Sequence, residues 1–307
     1  MAQGREISSR ISSVKSTQKI TRAMKMVAAA RLNRAQARMD GIRNYGRRIA
    51  QTLVNIGFTL FGDEHPLLKP RPSAKRRLYI VIAGDRGLCG GFNSNVARFL
   101  DQNLTREEVA SAKFFAIGRR GIASVKKKFG EAGIVKSWVD VFDKLSFQLT
   151  NDIAKNLLSA YQAANPKDRI DEAFVVYNRF ASRIKQEVVK EQIMPLSADK
   201  LREQLASVAV AEAEKNHAGK SHSHLVYELS EPQIIVTEMV EHWVSVNLFH
   251  AITESYAAEL AARVSAMESA TDAAQDMIDG LTLSYNRARQ TAITNELIDI
   301  VGGANTM

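Results

Sequence analysis

The stretch of this 307-residue chain best suited to chemistry is GDRGLCGGFNSN, Gly84 to Asn95, a glycine-rich turn between a β-branched apolar run and a helix-like segment. α/β folds bind phosphates at such places, because free backbone N–H groups and the positive end of a helix dipole favour an anion. The turn is neither GxxxxGKS/T nor GxGxxG, and no Lys-Ser or Lys-Thr pair follows it to hold phosphate and magnesium. A tight structural turn or contact surface is the favoured reading, with a nucleotide-binding α/β protein as the alternative.

Cys89, inside that turn, is the only cysteine. A nucleophile needs a base and an orienting group, and no histidine stands nearby in sequence, so a small core residue is expected. A single cysteine also excludes an internal disulfide and fits a reducing compartment. His217, His222 and His224 cluster loosely without the tight spacing of a metal framework. No catalytic, cofactor or metal residue is therefore assigned.

The net charge of +9 is unevenly placed. Residues 1–48 carry twelve Lys or Arg against Glu6 and Asp40, a balance of +10, whereas residues 250–307 carry three Arg against eight acids, a balance of −5. Clustered cations are the electrostatic footprint of phosphate binding, so a basic coiled-coil nucleic-acid binder is a second alternative. No zinc finger, helix-turn-helix or RNP signature accompanies the cations, and an acidic partner helix would cancel part of their field. The two ends of the chain are expected to attract each other.

The elements that would hold these residues divide into three segments: 1–60, 75–230 and 232–307. No proline occurs from Ser8 to Asp63, and apolar residues recur at Ile7, Ile11, Val14, Ile20, Met24, Val27, Leu32, Ala35, Met39, Ile42, Ile49, Leu53 and Ile56. This predicts a helix of about 54 residues, about 80 Å long, with a coiled-coil seam and a change of register at the polar Gln18 and Thr21. Its continuity argues against a removable leader, although the Arg- and Ser-rich start resembles one. After Pro232 no further proline occurs, which predicts a second helix of about 69 residues. Its seam is Leu260, Val264, Met267, Thr271, Ala274, Ile278, Leu281, Tyr285, Ala288 and Ala292, spaced 4 and 3.

The two helices are expected to pair antiparallel, the seam supplying most of the attachment and the charges biasing orientation. If both start level, the last helix outruns the first by about 15 residues, about 22 Å, from near Arg287. That tip, RARQTAITNELIDIVGG, carries Ile293, Leu297, Ile298, Ile300 and Val301. Left bare it would be an aggregation liability, so another chain should surround it. No apolar run approaches the roughly 20 residues of a membrane helix, so work at a membrane would go through partners.

In the middle segment, RRLYIVIAG, AKFFAIG and IVKSWVDVF read as strands alternating with the helical NSNVARFLDQNL, IASVKKKFG and SFQLTNDIAKNLLSAYQAA. DEAFVVYNRF and KQEVVKEQIMPLS then form a hairpin. The alternation predicts a mostly parallel, Rossmann-like α/β sheet. The polar 213–231 region reads as an exposed loop.

Taken together, REISSRISSVKSTQKITRAMKMVAAARL, DRGLCGG and SAMESATDAAQDMIDGLTLSYNRARQTAITNELIDIVGGA resemble the gamma subunits of bacterial F-type ATP synthases across essentially the whole chain. The resemblance implies a non-catalytic central-stalk rotor: an antiparallel coiled-coil shaft inside a ring of three alpha and three beta subunits, with the α/β domain beside epsilon and the membrane c-ring. It implies a peripheral position on the cytoplasmic face of the bacterial inner membrane, with no direct membrane insertion and no nucleic acid. By motif position, Arg263, Gln290, Thr294 and Glu296 resemble the family's polar contacts to beta. Met24 and Lys25 match the first-helix segment passing the same catch, although several members carry an acid where Lys25 stands. The loop 213–231 departs most from the family pattern, with three histidines and little acidic character.

Overall fold

The structure is a computed structural model that describes residues 2–53, 67, 68, 71, 76–104, 108, 112–165, 169–196 and 232–304. The histidine-containing loop and Ile56 lie outside the described residues. By its internal contacts the chain forms two units: Met1–Arg31 with Leu88–Gly90 and Leu260–Met307, and Leu32–Gly87 with Gly91–Glu259.

Helix α1 spans Ala2–Thr52, 51 residues. Gly41 and Gly46 do not interrupt it, and Gly46 has a packing reason to be glycine. A Cβ there would stand 3.3 Å from Val246 Cγ1, so the bare backbone lets the two helices approach closely. The C-terminal helix, α5, spans Pro232–Ala304, 73 residues. Proline is suited to the first helical position because its missing N–H would be unsatisfied there in any case.

The sheet unit is built from β1 (Arg77–Ile82), α2 (Phe92–Asn103), β2 (Lys113–Ile117), α3 (Arg119–Phe129), β3 (Ile134–Trp138), α4 (Phe147–Tyr161), β4 (Glu172–Phe180) and β5 (Gln186–Met194). Strand order is β3-β2-β1-β4-β5. β1 runs parallel to β2 and β4, β2 parallel to β3, and β5 returns antiparallel along β4. This is the expected mostly parallel sheet with a closing hairpin. The inner strands β1 and β2 read as continuous apolar runs because both their faces are covered, whereas the edge strand β3 is largely exposed.

One face is organised around a row of rings. Phe174, Tyr79, Phe114 and Phe129 stack at successive centroid distances of 5.6, 5.8 and 4.5 Å, carrying contact from β4 through β1 and β2 to α3. Val96, Leu100 and Val125 fill the same core. At the N-terminal ends of β1 and β4, Asp171 is clamped by Arg76, whose Nε and Nη2 both donate at 3.1 Å, and by Arg71 at 3.4 Å. Gly118 closes the β2–α3 turn at φ +82°, where a Cβ would fall 2.1 Å from the Ala83 carbonyl oxygen. Only glycine fits that position.

Within this unit α5 is buried nearly all round from Trp243 to Glu259, with Val244, Leu248, Ile252 and Ala258 inaccessible to solvent. A helix covered on every side belongs to an interior, where its polar residues must find partners. Ser245 fastens it to α4 by donating to Asn151 Oδ1 at 2.9 Å.

Candidate partner interface

In the first unit α1 and α5 run antiparallel with a constant register. Gln18 Nε2 donates to Gln275 Oε1 at 2.9 Å, the Thr21 and Thr271 hydroxyls meet at 2.8 Å, and Lys25 Nζ reaches Glu268 Oε1 at 2.5 Å. Paired residue numbers therefore sum to 292 or 293. On α5 the residues withdrawn from solvent beyond Met267 are Thr271, Ala274, Ile278, Leu281, Tyr285, Ala288 and Ala292 along the expected seam, every intervening position but Ala270 being exposed.

On α1 the reading needs correction. Ile7, Ile11, Val14, Gln18, Thr21, Lys25 and Ala28 form an unbroken 4-3 series of half-buried or buried positions, so the register does not change at Gln18 and Thr21. Those polar residues are in the seam, each matched by a like residue across it. The apolar Ile20 and Val27, expected inside, are 60% and 55% exposed, and Met26 is exposed beside them. Matching polar groups in the seam fixes axial register at some cost in stability, because any slip leaves them unpaired.

The same register locates the end of the pair. Ala2 falls opposite position 291, since 293 − 2 = 291, so α5 continues to Ala304 for 13 residues without α1 beside it. This is roughly 20 Å of helix. The overhang starts a little later than near Arg287, because α1 reaches back to Ala2. Ile293, Leu297 and Ile298 on it are exposed.

The residues singled out from sequence fall into two groups. Met24, Lys25 and Arg263 are all half-buried on the paired part of the helices, Lys25 being engaged with Glu268. Gln290 and Thr294 are exposed at the far end, and the Thr294 hydroxyl donates to the Gln290 carbonyl at 2.9 Å. From Arg263 to Gln290 is 27 residues of continuous α-helix, roughly 40 Å, so the groups cannot contact a single small ligand together. Glu296 lies on the helix, its side chain outside the described residues. The pairs Gln18–Gln275 and Thr21–Thr271 were missed in sequence; the signal was the uninterrupted 4-3 spacing through polar positions.

The glycine-rich turn is braced from within. Gly84 N donates to Asn93 Oδ1 at 2.9 Å, and Asn93 Nδ2 donates to the Arg86 carbonyl at 3.1 Å. The space a Gly84 side chain would enter is bordered by the Glu259 carboxyl carbon, 3.6 Å from that Cβ position. A buried acidic side chain beside the turn disfavours an anionic ligand there, which favours the structural reading of the turn. Its tip, Leu88–Gly90, belongs with the paired helices; a Gly90 Cβ would stand 3.9 Å from Ala266 Cβ. Cys89 is buried, as a packing residue should be.

A family model described as ATP synthase matches residues 3–307. The ATP synthase gamma chain of Chloroherpeton thalassium is 36% identical over 312 residues, spanning 100% of this chain and 99% of its own length. That of Moorella thermoacetica is 36% identical over 307 residues, spanning 100% of both. In fold, the chain is similar to one in the rotor of the Euglena gracilis mitochondrial ATP synthase in rotational state 1, with TM-score 0.65, 18% identity, and 95% of this chain and 99% of that chain covered. It is also similar to a chain of the Tetrahymena thermophila mitochondrial ATP synthase central stalk and c-ring, with TM-score 0.58, 22% identity, and 82% and 99% covered.

Proposed function

The chain belongs to the ATP synthase gamma-chain family, and on that premise we propose that it is the non-catalytic rotor shaft of an F-type ATP synthase. The observation that carries this reading is the single helix outrunning its partner by 13 residues, with exposed isoleucine and leucine on the overhang. An asymmetric shaft inside a ring of three alpha and three beta subunits meets each catalytic beta differently, and so holds the three nucleotide sites at different affinities. Coupling requires a difference in interaction free energy between shaft orientation and site conformation, and it is reciprocal. Ion-driven rotation at the c-ring changes the nucleotide sites, and hydrolysis at those sites turns the shaft.

In this reading Met24, Lys25 and Arg263 form a contact belt on the paired helices, and Gln290, Thr294 and Glu296 a second one at the tip. Lys25 is tied to Glu268, so the beta subunit meets a neutralised pair rather than a bare cation. The sheet unit is the part that faces epsilon and the c-ring. Among the described residues no helix is long and apolar enough to cross a membrane; in this reading the chain is peripheral, held at the cytoplasmic face of the bacterial inner membrane by the other subunits.

The test is reconstitution with alpha and beta subunits, a reporter being attached to this chain. Isolated, the chain should turn over no ATP; in the complex, hydrolysis should be accompanied by stepwise rotation of the reporter. ATP turnover by the isolated chain, or hydrolysis by the complex with a stationary reporter, would refute the assignment.

A further inference from the structure

Where α5 lies against the β4–β5 hairpin, one hydroxyl stands between two carboxyl groups. Tyr177 Oη is 3.0 Å from Glu254 Oε2 and 3.2 Å from Glu191 Oε2. A phenol carries one proton and can donate it to one acceptor at full strength. Glu191 is also ion-paired to Arg179 through its other oxygen and is half-buried, so it is the better site for negative charge. Glu254 is 4% exposed.

The other charged and titratable groups around Glu254 offer little compensation. Arg179, on β4, is engaged by Glu191. Arg43, on α1, exerts only a lesser opposing influence. His250, one turn back on α5, has its Nδ1 3.8 Å from Glu254 Oε2, and burial pushes its pKa down to about 4, so it is neutral near neutral pH.

We propose that Glu254 is a neutral carboxylic acid in the folded chain, donating its own proton to Tyr177, which donates in turn to Glu191. The result is an ordered series of donors, Glu254 to Tyr177 to Glu191, with Arg179 donating from the far side, which latches α5 to the hairpin by a proton. Losing that proton to solvent leaves two carboxylates competing for one hydroxyl, so rising pH loosens the latch. Burial, the largest influence on Glu254, favours the same protonated form. The sign follows from linkage. Between the ordinary value of 4.5 and the raised folded value, the folded chain keeps a proton the unfolded chain has released, so stability falls as pH rises through that window.

Infrared difference spectroscopy of the full chain tests this without any partner subunit. The expected result at neutral pH is a carboxylic-acid C=O band present in the parent chain and lost in Glu254→Gln. That variant keeps a donor for Tyr177 and cannot ionise, so its unfolding free energy should also lose the Glu254-linked decline with rising pH. Should Glu254→Gln fail to fold, Tyr177→Phe removes the acceptor and should shift the same band to higher frequency. No such band in the parent chain at neutral pH, an unshifted band in Tyr177→Phe, or an unchanged pH profile in Glu254→Gln overturns the latch.

Discussion

Replacing Ile293, Leu297 and Ile298 together by glutamine separates what the tip does for its own chain from what it does for the complex. In the chain these side chains are 49%, 57% and 62% exposed, about half of their surface still in water. Burying a whole Leu or Ile side chain contributes roughly 1.5–3 kcal/mol. Covering the remaining half by a surrounding ring is therefore worth about 1 kcal/mol each and about 3 kcal/mol for the three. Glutamine is nearly as good a helix former as leucine and somewhat better than isoleucine, and an exposed substitution of this kind normally changes stability by about 0.5 kcal/mol or less. Thermal unfolding of the isolated variant should thus match the parent. Titration of labelled chain into alpha and beta subunits should show binding weakened on the order of a hundredfold, since about 1.4 kcal/mol is a factor of ten, and torque from a rotation assay should drop with it. Parent-like affinity and torque would show that the overhang is uncovered in the complex, and a large fall in the isolated chain's stability would show that it packs on its own chain; either result defeats the reasoning.

Thr21→Val alone should cost about 1 kcal/mol or less in urea unfolding, because the Thr271 hydroxyl keeps its bond to the Met267 carbonyl. Adding Thr271→Val should recover most of that loss, and purely additive effects would mean the hydroxyl pair is not coupled. For His250, unfolding restores an ordinary pKa of 6.5 whereas the folded ring holds out to about 4. The unfolded state then binds more protons between those values, and stability falls as pH drops from 6.5 toward 4. His250→Phe should flatten that part of the acid profile, measured as unfolding free energy against pH, while Glu254→Gln removes the opposing decline that sets in above 4.5; an unchanged acid profile would place the titration elsewhere.

The α5 seam was legible because its exposed side is polar enough for the 4-3 spacing to stand out, and the middle segment was legible because short apolar runs such as RRLYIVIAG alternate there with helical segments. α1 was harder to read where it mattered. Sorting residues by polarity puts Ile20 and Val27 inside and Gln18 and Thr21 out, but the fold does the opposite because each seam polar group finds its match about 250 positions away. No local pattern encodes such a match. The stretch from Trp243 to Glu259 hides its environment for a different reason: a helix covered on all sides has no polar face to set a period, and its buried Glu254 depends on Tyr177 in a distant strand. The glycine-rich turn could be located but not interpreted, since the carboxyl group bordering it belongs to Glu259, 175 positions beyond Gly84.

The pairing of the first helix with the last also dictates an order of events at birth. Thr21 meets Thr271 across 250 positions of sequence, and synthesis proceeds at about 5–20 residues per second, so α1 waits roughly 12–50 s on the ribosome before its partner exists. Throughout that time Ala28, Leu32, Ala35 and Met39, all buried in the finished molecule, have no seam to enter. Closing so long a loop is slow and entropically unfavourable until the intervening segment has folded and brought its ends together. Loop closure therefore favours a sheet that forms before the shaft pairs. The dozen cations of the first 48 residues then serve a second purpose, keeping a solitary helix soluble and apart from its copies on neighbouring ribosomes.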